Sequence, residues 1–106
     1  MSEVIVVATL RALPGKESEV EALLRSVIAP THAENGCITY ALHRDQKDPT
    51  RFAYIERWES RAHLDAHLAS AHLAEFRAKM VDISAGPAEI LLLDALPDGD
   101  PTKGAI

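Results

Sequence analysis

Apolar residues repeat along this chain with a period of two in four stretches and of about 3.6 in two, in the order β-α-β-β-α-β. That alternation leaves few folds open. Residues 4–10 are rich in Val and Ile and read as a strand, which Pro14-Gly15 breaks. Over residues 16–33, Val20, Leu23, Leu24, Val27 and Ile28 form one helical stripe. Glu17, Glu19 and Glu21 suit the positive end of the helix dipole and otherwise read as solvated. Pro30 is expected to kink or end this helix early, and Asn35-Gly36 to supply a positive φ after it. Residues 37–45 and 52–58 read as two strands of an antiparallel hairpin, joined by a polar turn from Gln46 to Thr50. Ile38, Tyr40 and Leu42 share one face of the first strand; Thr39, Ala41 and His43 share the other. Phe52, Tyr54, Glu56 and Trp58 share a face of the second.

Ser60 and Ser70 are both N-cap residues by type, which divides the second helical region near Ala69. Its first piece carries Leu64, His67 and Leu68; its second carries Leu73, Phe76, Met80 and Ile83. Gly86-Pro87 ends it, and residues 88–96 read as the last strand.

This order defines an α+β, ferredoxin-like fold: a four-stranded antiparallel sheet with the helices on one face. Residues 4–7 and 90–93 are apolar on both sides of their strands, a pattern expected of strands buried on both faces. One chain of 106 residues covers only one face, so a homodimer packed sheet on sheet, as a dimeric α+β barrel, is expected. Residues 1–96 read as one domain and 97–106 as a flexible tail.

The net charge of −5, with eleven scattered Lys and Arg, disfavours nucleic acid and anionic membranes as partners. The N-terminal apolar stretch is too short for a membrane span or a secretory signal. Cys37 is the one cysteine, so no internal disulfide forms, and within a strand it reads as an inert, half-buried thiol. These features fit a soluble, cytoplasmic protein.

His67 is the leading chemical candidate. It sits on the apolar stripe between Leu64 and Leu68, facing the sheet, where a neutral imidazole accepts a proton. A core histidine bonded to a backbone carbonyl is the plainer reading of the same position. His63 and His67 are four apart, but a metal needs a third ligand that the sequence does not supply, so no metal is expected. His72 falls in the first turn of the last helix, facing solvent or the mouth of a pocket. Only one of Tyr40 and His43 faces the helices, and the pattern does not say which. Trp58 reads as core packing or as a pocket wall. Glu56 reads as an ion-pair partner of Arg44 or Arg57, or as a carboxylate with a raised pKa. Arg77 reads as a solvated residue or as a holder of an anionic oxygen.

The chain resembles the antibiotic biosynthesis monooxygenase (ABM) family of small dimeric α+β barrel proteins. The resemblance runs through Val4-Ile5-Val6-Val7-Ala8-Thr9-Leu10, Pro14-Gly15-Lys16, Glu34-Asn35-Gly36-Cys37-Ile38-Thr39-Tyr40, Asp48-Pro49-Thr50-Arg51-Phe52, Glu56-Arg57-Trp58-Glu59-Ser60 and Ala66-His67-Leu68. It covers residues 4–94. Members include cofactor-free oxygenases of phenols and quinols, haem-degrading proteins and isomerases of small carbonyl compounds, so fold alone leaves the chemistry open. The haem-degrading branch uses an Asn in the first strand and a His on the last helix. Here Thr9 and Arg77 stand near those positions, which disfavours haem.

The pattern is most similar to quinol-monooxygenase-like members. It implies a cofactor-independent oxygenase acting on a small aromatic or quinol, with His67, Trp58 and His43 as catalytic residues. Tyr40, Tyr54, Glu56, Phe76 and Arg77 would bind substrate. An isomerase of a small hydroxycarbonyl compound and a non-catalytic binding or stress protein are the alternatives. No G-x-G-x-x-G or phosphate loop supports flavin or nicotinamide binding.

Overall fold

The computed structural model describes residues 2–106. Strand β1 (Val4–Arg11) leads through α1 (Glu17–Ser26) and α2 (Ile28–His32) to a hairpin of β2 (Cys37–Arg44) and β3 (Arg51–Trp58). Helices α3 (Arg61–Leu68) and α4 (Ala71–Met80) follow, and β4 (Glu89–Leu93) closes the sheet. Every neighbouring pair is antiparallel, in the order β2-β3-β1-β4. This is the ferredoxin-like α+β arrangement that the period changes predict.

The local signals act at the expected places, with two shifts, apart from the last helix and strand, which end at Met80 and Leu93, short of the expected Ile83 and residue 96. Ser60 and Ser70 both cap: their side chains accept from the backbone N–H of His63 and of Leu73. The break between α3 and α4 therefore falls at Ala69 and Ser70. The first helical region also divides, but at Val27 and not at Pro30. Pro30 lies in the first turn of α2, where its missing N–H has no intrahelical partner to lose. Gly36 takes φ +82°, and a Cβ there would collide with the ring of His63. Both the turn and the close approach require glycine.

The second shift is in β2. Register slips between Cys37 and Thr39, so Cys37 opposes Trp58 while Tyr40 opposes Glu56. Ile38 is the extra residue, 42% exposed, and does not share the buried face of Tyr40 and Leu42 as strict alternation implied.

The core lies between the sheet and the helices. Val6 and Ala8 of β1, Tyr40 of β2 and Phe52, Tyr54, Glu56 and Trp58 of β3 face inward against Val20, Leu24, Leu64, Leu73 and Met80. The opposite face carries Ile5, Val7, Ala41, Ile55 and Leu91, with no element among the described residues over it. Leu91 is 60% exposed there. Beyond β4 the chain is exposed save for Gly104, whose N–H closes a turn on the Asp100 carbonyl. No helix among the described residues is long and apolar enough to cross a membrane.

Candidate functional site

Between the sheet and α3–α4 lies a cavity of about 550 Å³. The sheet contributes Ala8, Leu10, Tyr40, Tyr54 and Glu56, and the helices contribute His67, Leu68, Leu73, Phe76, Arg77 and Met80. Its walls are mainly apolar, with a few polar groups among them, as in small-molecule sites generally.

His67 comes from the last turn of α3 and is 2% exposed. Its Nδ1 lies 2.7 Å from Oε2 of Glu34. A carboxylate only accepts, so the ring proton sits on Nδ1 and Nε2 is left as the basic atom. Nε2 has no hydrogen bond, yet no buried polar side-chain atom among the described residues lacks a partner. Nε2 therefore reaches the cavity that the ring lines. Burial holds the imidazole below its ordinary pKa, against the opposing pull of Glu34. The ring also packs on Trp58 at 4.6 Å and edge-on to Tyr40 at 5.3 Å, which fixes its plane.

Glu56 is the second polar group, 4% exposed. The indole N–H of Trp58 donates to its Oε1 at 2.9 Å. Burial pushes its carboxyl up to about 7, the Trp58 bond partly opposing and the charge of Glu34 adding to the rise. The expected ion-pair partners are engaged elsewhere: Arg44 with Glu21 and Arg57 with Glu3. Glu21 is thus held by Arg25 and Arg44, not simply solvated. Tyr54 donates its hydroxyl to the Leu24 carbonyl at 2.5 Å and stacks on Tyr40 at 4.4 Å. Burial raises both phenol pKa values, so both stay neutral donors.

The structure brings together His67, Tyr40, Tyr54, Glu56, Phe76 and Arg77 around one cavity. Arg77 is anchored by a 2.6 Å hydrogen bond to the Leu68 carbonyl at the rim. Trp58 stands behind this wall: fully buried, it orients Glu56 and His67 without lining the cavity. Phe52 is likewise core. His43 is not in this group. It opposes Ala53 on the far face of the sheet and is exposed. His63 bonds Ser60 through Nδ1 at 2.7 Å and faces Gly36, so it shares nothing with His67.

Sequence reasoning missed Glu34. It sits in the turn after α2 and meets both His67 and the Nε2 of His72, at 3.0 Å. No periodicity marks it. Its one signal was its place beside Asn35-Gly36, in a stretch that carries the family resemblance.

A four-stranded ferredoxin-like sheet with a mainly apolar, acid–base-bearing cavity under its helices defines the class. Comparison with known proteins then narrows it. Residues 3–79 match the family model described as antibiotic biosynthesis monooxygenase, and the chain belongs to that family. The Mycobacterium tuberculosis protein named "Putative monooxygenase Rv0793" is 34% identical over 97 residues, covering 92% of this chain and 95% of its own. Its solved structure superposes with a TM-score of 0.85, at 32% identity, over 93% of this chain and all of that one (100%). The Escherichia coli K12 protein named "Probable quinol monooxygenase YgiN" is 31% identical over 81 residues, covering 67% of this chain and 78% of its own. The Synechocystis protein sll1783 is 36% identical over 87 residues, or 82% of this chain, which spans only 59% of that protein's length.

Proposed function

We propose that this family member is a monooxygenase of a small phenol or hydroquinone, acting without an organic cofactor. The observation that carries the reading is the Glu34–His67 pair. A carboxylate fixes the imidazole tautomer from outside, and the basic Nε2 meets the cavity. A one- or two-ring substrate fits the volume between Tyr40, Tyr54 and Phe76. His67 takes a hydroxyl proton. The resulting anion is electron-rich enough to pass one electron to O2, giving a semiquinone and superoxide. Their recombination forms a ring hydroperoxide, which loses water to a carbonyl. A hydroquinone and O2 thus yield a hydroxylated quinone and H2O. The protein supplies orientation, a site free of bulk water and the proton carriers. The YgiN name lends weight to a quinol-type substrate.

Labelled dioxygen tests the reading. One heavy oxygen per product molecule, in a turnover that survives metal chelation and needs no added flavin, is the expected result. Turnover without incorporation would overturn it. A second reading rests on Glu56, which lines the same cavity as His67 and whose carboxyl at about 7 can return a proton near neutral pH. Two such carriers suit an isomerase of a small hydroxycarbonyl compound, which would work equally well without O2.

A homodimer through the open sheet face is part of the same proposal. The apolar side chains on that face, Ile5, Val7, Ile55 and Leu91, have no cover among the described residues.

A further inference from the structure

Glu34, His67 and His72 offer three ligand atoms that lie within 4.8 Å of one another. The two histidine nitrogens approach the same carboxylate oxygen, at 2.7 Å for His67 Nδ1 and 3.0 Å for His72 Nε2. Ligands placed about 2.1 Å from a divalent ion stand about 3 to 3.5 Å apart, so both nitrogen–oxygen separations lie less than about an ångström from what an ion needs. The set is held on three elements: the turn after α2, the last turn of α3 and the first turn of α4. It is also reachable. The side chains of Glu34 and His72 are 18% and 28% exposed, on the outer side of His67, away from the cavity. The hydroxyls of Thr31 and Ser70, 3.5 and 3.4 Å from His72 Nε2, are placed to hold water on such an ion.

We propose that Glu34, His67 and His72 form a binding site for one borderline divalent ion of the Zn²⁺ or Co²⁺ class. Two imidazoles and one carboxylate match that class, while Mg²⁺ and Ca²⁺ demand oxygen ligands. The consequence for the cavity rests on the proposed role of His67. An ion on Nδ1 displaces the proton to Nε2, so the cavity-facing nitrogen becomes a donor and ceases to be a base. The site is then an inhibitory switch, closed by metal and opened by chelation.

The test is calorimetric titration of the metal-stripped protein with ZnCl2 and, for its visible spectrum, CoCl2. One site per chain is expected, with no binding of Mg²⁺ at the same concentration. Glu34→Gln and His72→Ala, both partly exposed positions, should each weaken Zn²⁺ binding at least tenfold, since even outer-shell changes cost about 10–100-fold. His63→Ala should leave it unchanged. No saturable binding below millimolar Zn²⁺, or full binding in both ligand variants, would overturn the proposal. If Zn²⁺ binds as expected but leaves turnover intact, the metal site stands and the assignment of His67 as base falls.

Discussion

The two faces of this sheet are made from the same strands and have opposite characters. On β3, Phe52, Tyr54, Glu56 and Trp58 are at most 4% exposed. Their alternating neighbours Ala53, Ile55 and Arg57 are only half-buried. The covered face carries the aromatic side chains and Glu56, and the cavity lies against it, with His67 facing it from α3. The open face carries aliphatic side chains at its centre, Val7, Ile55 and Leu91, with Arg11, His43, Arg51, Arg57 and Glu89 around them. Side chains of strands alternate, so one chain assigns chemistry to one face and, by the proposal above, assembly to the other.

The largest expected effect comes from emptying the covered face. Trp58→Ala should cost about 3–5 kcal/mol in denaturant unfolding, through a large cavity and the loss of the donor to Glu56. A cost under about 1 kcal/mol would mean that this face is not the core. Charging the open face should act on assembly. Val7→Arg should weaken self-association about 100-fold or more, read by sedimentation, because it buries an unpaired charge at the centre of the sheet. A wild-type protein that is a monomer at micromolar concentration would remove the open face from the assembly proposal.

A pH titration sharpens the contrast further. In the folded protein Glu56 holds its proton up to about 7, whereas the ordinary value is 4.5. Between those values the folded state binds more protons than the unfolded chain, so stability falls as pH rises. The contribution is whole below 4.5 and on the order of 3 kcal/mol is lost once pH passes 7, at about 1.36 kcal/mol per unit. Glu56→Gln should flatten this slope in thermal melts between pH 5 and 8, on the order of the same window. An unchanged slope would show that the carboxylate is solvated. Smaller still, Ser60→Ala removes the cap on α3 and should cost about 0.5–2 kcal/mol. Leu91→Ala, 60% exposed within the chain, should cost under about 1 kcal/mol in dilute monomer.

Much of this was legible from residue order. Period changes predict the β-α-β-β-α-β order, in which each helical region then divides in two, and Ser60, Ser70 and Gly36 mark their own turns because capping and positive φ are local chemistry. His67 was legible as inward-facing because its neighbours Leu64 and Leu68 lie on one stripe. Three features were not. Alternation says that Tyr40 and His43 face apart, but choosing between them needs the helices in place. The slip at Ile38 breaks the parity on which alternation rests. Glu34 acts on side chains 33 and 38 positions away, a contact made only by the packing of α3 and α4 against the turn after α2.

The most direct test of the central claim is oxygen uptake by the metal-stripped protein with a panel of hydroquinones, corrected for autoxidation, in wild type and His67→Gln. Protein-dependent uptake that falls about 10²–10⁴-fold in the variant, with the fold intact, is the predicted result for a general base. Uptake that is equal in the two proteins would contradict the assignment of Nε2 of His67 as the group that starts the reaction.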